Sequence, residues 1–210
     1  MMLPRPTLRI AEVFPSVQGE GLRLGEPTLF VRLAGCNLRC SFCDTKYART
    51  GGEMRTRDSV VAEVRKIRLD FPASWVCLTG GEPLLQDISG LVRDLKKEGL
   101  KVQVETNGTI DRLLPVDWYT VSPKPKDYFY QMRFRKSAKE VKLVASRELT
   151  YEVVRRLRKE FPQETPVILQ PESNHQASAK RAMGILGQSL KDGLMNIRLS
   201  VQLHKIFNIK

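Results

Sequence analysis

Long apolar runs, a leader-like start and internal repeats are all lacking in this sequence of 210 residues. No apolar run approaches the roughly 20 residues that a membrane-spanning helix needs, which excludes the usual pattern of an integral membrane protein. The start, MMLPRPTLRI, lacks the apolar stretch of about 7–15 residues found in secretory signals, so we expect a cytoplasmic location. Since linkers and low-complexity segments are also missing, one domain over residues 1–210 is expected.

Cysteine is scarce, and its placement is uneven. Of the four cysteines, Cys36, Cys40 and Cys43 fall within eight residues. Such clustering in a reducing compartment favours metal binding or redox chemistry over disulfides. A structural zinc site usually has four protein ligands, so three thiolates suggest a metal centre with one open position. Cys77 lies in an apolar segment and is typical of a small buried side chain. As a fourth ligand it would instead complete a zinc site or a closed cluster, and this alternative stays open.

Acidic residues are too few to balance the basic ones, which gives a net charge of +12 and a pI near 9.8. A strongly basic protein often has an anionic partner, here either nucleic acid or a carboxylated metabolite. The basic residues are spread along the chain, and no aromatic-interleaved RNA-binding motif accompanies them. Direct nucleic-acid binding is therefore not expected.

Apolar and amphipathic segments alternate along the chain, which favours an α/β fold with right-handed parallel crossovers. Strands are predicted at 28–35, 75–80, 101–106, 117–122, 140–146, 166–171 and 196–202. Helices are predicted at 58–71, with Asp58 as the N-cap, at 87–99, ended by Gly99, at 147–161 and at 174–190. A full eight-unit barrel takes roughly 250 residues. The chain is therefore predicted to form an incomplete TIM-type barrel of about six parallel strands with a reduced number of helices.

The three clustered cysteines follow directly on the predicted strand 28–35. They should therefore lie at a carboxyl strand end, where α/β folds build their sites. Gly35 and Asn37 flank the first cysteine and tolerate the positive φ angles of a tight loop. Cysteine thiolates hold iron–sulfur clusters, and three of them on a four-iron cube leave one iron free for a small molecule. A radical S-adenosylmethionine enzyme needs such an iron, which binds the cofactor through an amine and a carboxylate.

The motifs extend this interpretation to a family. The CxxxCxxC spacing with Phe42, followed by LTGGEP at 78–83, resembles the radical S-adenosylmethionine superfamily. A longer set of motifs resembles the 7-carboxy-7-deazaguanine synthase family within it: FPSVQGEG (14–21), GCNLRCSFCDT (35–45), TGGEPLLQ (79–86), ETNGT (105–109), VSPK (121–124), LQPES (169–173) and LSVQLHK (199–205). The resemblance covers nearly the whole chain, and VQGEG together with CDT is its most specific part.

This resemblance implies conversion of 6-carboxy-5,6,7,8-tetrahydropterin to 7-carboxy-7-deazaguanine with loss of ammonia, a step toward queuosine. The implied cofactors are a [4Fe–4S] cluster, S-adenosylmethionine and Mg²⁺. The implied chemistry is hydrogen abstraction from C6 of the pterin, a magnesium-assisted ring contraction and return of the hydrogen. The implied partners are the pterin, an external electron donor such as flavodoxin or ferredoxin, and a second copy in a homodimer.

The resemblance also implies roles for individual residues. Cys36, Cys40 and Cys43 would hold the cluster, and the Thr45 hydroxyl would bind magnesium. The implied contacts to S-adenosylmethionine are Phe42, Cys43, Asp44, Gly81, Glu82, Ser122, Pro123, Lys124, Gln170, Pro171, Glu172 and Ser173. The implied contacts to the substrate are Val17, Gln18, Gly19, Glu20, Arg32, Thr79, His204 and Lys210.

The chemistry of these side chains suits such roles. The Gln18 amide and the Glu20 carboxylate offer the donor and acceptor edges that a pterin ring requires. The planar fork of Arg32 matches a substrate carboxylate. Gly80 and Gly81 would allow a ligand to approach the backbone closely.

Two other functions compete with this interpretation. A glycyl-radical activating enzyme would share the cysteine loop but has no obvious need for VQGEG. A basic iron–sulfur or zinc RNA-binding module would explain the charge and the cysteines without catalysis.

Overall fold

The computed structural model describes residues 7–210, and the expectation of no leader at residues 1–10 therefore lies partly outside the described residues. The strands are β1 (Thr7–Val17), β2 (Pro27–Leu33), β3 (Glu53–Thr56), β4 (Trp75–Gly80), β5 (Lys101–Thr106), β6 (Trp118–Val121), β7 (Ala138–Val144), β8 (Val167–Gln170) and β9 (Ile197–Leu199). The helices are α1 (Arg57–Asp70), α2 (Ser89–Lys97), α3 (Phe134–Ser137), α4 (Tyr151–Glu160), α5 (Gln176–Lys191) and α6 (Leu203–Phe207).

The strands form one sheet in the order β3-β1-β2-β4-β5-β6-β7-β8-β9. From β2 to β9 all neighbours are parallel, whereas β1 pairs antiparallel with both β2 and β3. The sheet is not closed, because its edges are two different strands, β3 and β9. The predicted α/β class and partial barrel are confirmed, with seven strands in the parallel run instead of about six. That the chain forms a single domain stays a prediction.

The seven predicted strands and the four predicted helices are present, but β1 and β3 were not predicted. In β1 the alternation of buried and exposed residues is interrupted by a register shift between Ile10 and Glu12, and Pro15 lies within the strand. The four residues of β3, EMRT, contain no apolar run and pair only with β1. Both strands depend on pairing with distant residues, which local patterns do not reveal.

The core consists of parallel strands whose apolar side chains are buried, together with the inner faces of the helices. Leu78 of β4 and Leu143 of β7 are fully buried, as are Leu91 of α2 and Leu157 of α4. All four belong to one contiguous apolar cluster. Among residues 7–210, no helix combines the length and the apolarity needed to cross a membrane.

The ends of α1 and α2 show how local sequence sets these helices. Gly99 follows α2 with φ +75°, its amide donates to Lys96, and the Leu100 amide donates to Leu95, so the predicted glycine stop is confirmed. The predicted N-cap of α1 was wrong. Thr56 is the cap and accepts from the Ser59 amide at 3.2 Å, because α1 begins at Arg57, which places Asp58 inside the first turn.

Replacing Thr56 by alanine is expected to destabilise the protein by about 1 kcal/mol, because the Ser59 amide loses its acceptor. Urea unfolding of the apoprotein, followed by circular dichroism, measures the change. Thr56→Ser is the control, since its hydroxyl can still cap the helix. Equal losses in both variants would contradict the assignment of the cap.

Candidate active site

A cavity of about 450 Å³ lies at the carboxyl ends of the parallel strands, within the size range of sites for small molecules. Arg32 of β2, Thr79 of β4, Glu105 of β5, Lys142 of β7 and Gln170 of β8 all contribute to its wall. The loops that follow these strands complete the wall. The predicted location of the site at this edge agrees with the geometry.

The cysteine loop brings Cys36, Cys40 and Cys43 to this cavity as half-buried thiols. The loop is tied at its base, where the Gly35 amide donates to the Ala48 carbonyl at 2.8 Å. Burial raises the pKa of the Cys36 and Cys40 thiols, and positive side chains around Cys40 oppose this shift. A metal centre that replaces the thiol protons would remove this cost of ionisation.

Cys77 is fully buried and packs with Phe14 and Phe30, whose rings stack at 5.2 Å. It is not among the residues that line the cavity, so it is not placed to be a fourth ligand. In the part of the chain described, no three His, Cys, Asp or Glu side chains converge as they would on a single metal ion. The thiolates of a four-iron cube bind different irons and need not converge on one point. The donor set therefore fits an open cluster better than zinc.

Gly80 and Gly81 lie at the end of β4, where backbone approaches backbone. A Cβ at either position would lie 2.0 Å from a carbonyl oxygen, that of Leu33 for Gly80 and that of Gly35 for Gly81. The Gly81 amide also donates to the Leu33 carbonyl at 3.1 Å. These glycines are thus needed for contact between β4 and the base of the cysteine loop, a reason that the sequence analysis did not anticipate.

Gly81→Ala is expected to destabilise the protein by about 3 kcal/mol, because its methyl group meets rigid backbone. Gly184→Ala is the matched control. It lies in α5 with open space around its Cβ, and we expect it to stabilise the helix by about 1 kcal/mol. Urea unfolding measures the stability of both variants. A decrease of less than about 1 kcal/mol in the free energy of unfolding of Gly81→Ala would contradict the close packing.

Glu82 is fully buried and does not line the cavity. Its carboxylate accepts hydrogen bonds from the Leu84 amide, the Thr106 hydroxyl and the Asn107 amide at 2.7–3.0 Å. Burial raises its pKa, and these donors oppose that rise. The structure therefore does not bring the Glu82 side chain to the predicted cofactor site. It joins the ends of β4 and β5 instead.

The other strand ends supply most of the predicted cofactor residues. Ser122 and Lys124, which follow β6, line the cavity, whereas Pro123 between them does not. The Lys124 ammonium donates to the Ser122 hydroxyl, and burial lowers the pKa of Lys124. The remaining predicted cofactor residues that line the cavity are Phe42, Cys43, Asp44, Gly81, Gln170, Pro171, Glu172 and Ser173.

A buried charge network forms a further part of the wall, and its central residue was not predicted. The Lys142 ammonium, 6% exposed, pairs with Glu20 and, at 3.3 Å, with Glu105. Gln18 donates to Glu105 at 3.1 Å, and Gln202 donates to Glu20 at 2.7 Å. Burial alone would raise the pKa of Glu20, but the Lys142 charge outweighs it and lowers this pKa to about 2.

Arg32 belongs to a second polar group, centred on Glu12. Its Nε pairs with the Glu12 carboxylate at 2.8 Å, and Glu12 also accepts from Tyr47 and, at 2.7 Å, from the Lys210 ammonium. Burial opposes ionisation of Glu12, yet these three donors lower its pKa to about 2. The Lys210 carbonyl accepts from Ser16, so the last residue is held at the cavity wall.

The remaining predicted residues also line the cavity: Val17, Gly19, Thr45, Thr79 and His204. Thr45 lies with its hydroxyl 3.7 Å from the Cys43 sulfur. His204 packs against Gly19, where a Cβ would lie 2.5 Å from Nδ1, and burial lowers its pKa. Sequence reasoning missed Glu12, Glu105 and Lys142. Glu105 stands in the quoted ETNGT motif, and Lys142 is a charged residue inside an apolar strand.

A parallel sheet with three thiols at its carboxyl edge is the arrangement of a radical S-adenosylmethionine protein. The family model described as Radical SAM superfamily matches residues 30–176 of this chain. The chain is of this class. A protein of this class uses a [4Fe–4S] cluster, S-adenosylmethionine and an electron donor. Within the class, the chain belongs to the 7-carboxy-7-deazaguanine synthase family, since relatives of that name align with nearly its whole length.

Three comparisons illustrate this relationship. The 7-carboxy-7-deazaguanine synthase of Aquifex aeolicus (strain VF5) is 37% identical over 212 residues, which cover 97% of this chain and 94% of the relative. That of Rhodospirillum rubrum is 36% identical over 221 residues, with coverages of 97% and 93%. The crystal structure of QueE from Escherichia coli is 28% identical, with a TM-score of 0.76 and coverages of 94% and 95%.

Proposed function

We propose that the protein converts 6-carboxy-5,6,7,8-tetrahydropterin to 7-carboxy-7-deazaguanine with loss of ammonia, in the biosynthesis of 7-deazapurines such as queuosine. The observation that carries the proposal is that one cavity joins the three-cysteine loop to two polar groups, one around Lys142 and one around Arg32. Family membership supplies the identity of the reaction.

The two polar groups suit the two ends of this substrate. Arg32, held by Glu12, presents a guanidinium to the substrate carboxylate. Gln18, Glu20 and Glu105 offer amide and carboxylate groups to the pterin ring, whose edge contains both donors and acceptors. Lys142 pairs with both carboxylates and lowers the pKa of Glu20, so it acts as a positioning residue.

The same cavity would also hold the cofactors. Cys36, Cys40 and Cys43 would bind the cluster, which together with S-adenosylmethionine supplies the radical that removes hydrogen from the substrate. The strand-end residues Ser122, Lys124 and Gln170–Ser173 would bind and orient S-adenosylmethionine. The Thr45 hydroxyl would provide one hard oxygen ligand to Mg²⁺.

Other features complete the proposal. The electron donor would be a flavodoxin or a ferredoxin, and the protein would act in the cytoplasm as a homodimer. Direct nucleic-acid binding is not part of the proposed activity. The absence of an aromatic-interleaved basic motif supports the last point.

The decisive experiment is anaerobic reconstitution with iron and sulfide, followed by dithionite reduction and addition of S-adenosylmethionine and Mg²⁺ with the carboxylated tetrahydropterin. We expect 7-carboxy-7-deazaguanine and ammonia in equal amounts, and no product without the pterin. Radical formation on a partner protein would point to an activating enzyme instead. A cluster-loaded protein that turns over neither substrate would contradict the proposal.

A further inference from the structure

Two segments of the cavity wall come from distant parts of the chain and are joined by one side chain. The first segment, residues 170–174, begins at the end of β8 and contains proposed contacts to S-adenosylmethionine. The second, residues 200–205, follows β9, and we call it the strap; Gln202 and His204 of the strap line the same cavity. Asn174 ends the first segment and is not among the residues that line the cavity. Any effect of its side chain on a bound ligand must therefore pass through other residues.

Asn174 holds one residue of the strap by both of its polar groups. Its side-chain nitrogen donates to the Gln202 carbonyl at 2.9 Å, and its side-chain oxygen accepts from the Gln202 amide at 2.9 Å. An asparagine side chain can do this because it carries both donors and an acceptor. The Ser200 amide also donates to the Leu169 carbonyl at 3.0 Å, which continues the pairing of β8 with β9 up to the strap. The strap is thus fixed to the loop that follows β8.

The strap is fixed in turn to the proposed substrate residues between β1 and β2. The Gln202 side chain donates to the Glu20 carboxylate at 2.7 Å, and the Leu203 amide donates to the Gly19 carbonyl at 2.9 Å. Hydrogen bonds therefore connect the proposed cofactor residues with the proposed substrate residues. Asn174 and Gln202 lie at the centre of this connection.

The backbone next to Asn174 is placed to respond to a ligand. Ser173 and Asn174 both have positive φ angles, +47° and +56°. Such conformations are unfavourable for residues other than glycine and persist where the surrounding contacts enforce them, often at sites that clamp a ligand. Ser173 lines the cavity, so a ligand that contacts it acts on the residue directly before Asn174.

From this connection we infer that Asn174 is a positioning residue that couples the binding of S-adenosylmethionine to the binding of the pterin, so that each ligand increases the affinity for the other. The inference rests on the proposed function and goes beyond it by linking its two binding sites. A ligand that contacts residues 170–173 orders Asn174 and, through it, the strap. The second ligand then meets an ordered strap and loses less conformational entropy on binding. By thermodynamic linkage, the effect is equal in both directions.

The test removes the Asn174 side chain and keeps its backbone. Asn174→Gly is the suitable variant, because glycine adopts a positive φ readily whereas alanine would add strain. Asn196→Gly is the matched control. Asn196 also has a positive φ, +58°, and its side chain donates to the Gln163 carbonyl at 2.9 Å, away from the cavity wall. Each protein is loaded with its cluster anaerobically and studied without a reductant, so that neither ligand is consumed.

Calorimetric titration in the presence of Mg²⁺ measures the affinity for S-adenosylmethionine with and without the pterin, and the converse. In the unmodified protein and in Asn196→Gly, we expect each ligand to raise the affinity for the other at least about fivefold. In Asn174→Gly each ligand should still bind alone, but this factor should fall below about twofold. A general loss of stability would lower the separate affinities without removing their dependence on each other.

Hydrogen exchange gives a second measurement, which does not depend on a variant. S-adenosylmethionine alone should slow the exchange of backbone amides in residues 200–205 of the unmodified protein, although none of its proposed contacts lies in that segment. The same protection should be present in Asn196→Gly and missing in Asn174→Gly, because the strap is then no longer held by the side chain at position 174.

Independent binding of the two ligands to the unmodified protein, or a coupling factor that Asn174→Gly retains, would overturn the inference. Protection of residues 170–174 without protection of the strap would also overturn it, and this result can be obtained even if the glycine variant takes up no cluster. The product assay described above tests the proposed function separately. A protein that forms 7-carboxy-7-deazaguanine but binds its two ligands independently would contradict the coupling alone.

Discussion

Cys40→Ala is expected to abolish both cluster binding and product formation. Each of the three cysteine ligands would hold a different iron, and without one of them a cube has two irons lacking protein ligands instead of one. Removal of a supporting residue around a metal already costs about 10–100-fold, so removal of a ligand itself should reduce product formation by at least about 100-fold. Iron content and visible absorbance after anaerobic reconstitution measure the first effect, and product assays measure the second.

Cys77→Ala provides the matched control, because this thiol is fully buried outside the cavity. We expect normal iron content, normal activity and a stability loss of about 1 kcal/mol from the smaller buried side chain. The electron paramagnetic resonance signal of the reduced cluster should still change when S-adenosylmethionine is added. If Cys77→Ala lost iron as Cys40→Ala does, the cluster would have four cysteine ligands and no open iron, and S-adenosylmethionine would have no iron to bind.

The features that the sequence predicted well are those set by local spacing. The loop of Cys36, Cys40 and Cys43 is short, so its thiols share one cavity whatever the rest of the chain does. Strands of the parallel run are buried on both faces and therefore appear as apolar runs. The end of α2 before Gly99 depends only on the local backbone, because glycine readily adopts the positive φ angle found there.

The features that were missed depend on partners far away in the chain. Thr56 became the cap of α1 because β3, which ends there, pairs with β1. Glu82 lies in a motif shared with cofactor-binding segments, yet its carboxylate is taken up by Thr106 and Asn107 of the neighbouring strand end. No local sequence pattern shows which distant groups will donate hydrogen bonds to a given carboxylate.

The Glu12 group illustrates the same limit. Its four members, Glu12, Arg32, Tyr47 and Lys210, come from both ends of the chain and from two places between. A charged residue inside an apolar strand is nevertheless a usable signal, because an unpaired buried charge is costly. Applied to the segment EVKLVAS, that rule would have selected Lys142.

Lys142→Met is expected to destabilise the protein by about 3–5 kcal/mol at pH 7, because it leaves the carboxylates of Glu20 and Glu105 without their buried partner. Lys139→Met is the matched control. It removes an exposed lysine from the same strand, and we expect a change within about 0.5 kcal/mol. Urea unfolding of the apoproteins at several pH values measures both.

The pH dependence gives this prediction a second readout. The pKa of Glu20 is about 2 in the folded protein against an ordinary value of 4.5, so its ionised pair with Lys142 adds stability above pH 4.5 that is lost as the pH falls toward 2. In Lys142→Met the pair is missing, and burial then raises the pKa of Glu20. The difference in stability between the two proteins should therefore be large at pH 7 and should shrink as the pH falls through this window.

The double variant Lys142→Met/Glu20→Gln separates the charge effect from simple loss of packing. A neutral amide in place of Glu20 needs no counter-ion, and its hydrogen bond to Gln202 can be kept. We expect the free energy of unfolding of the double variant to exceed that of Lys142→Met by more than about 1 kcal/mol. Such a gain would show that the two side chains interact. If the two changes were simply additive and the loss did not depend on pH, Lys142 would be stabilising the sheet through its aliphatic stem and not holding the carboxylates of the cavity.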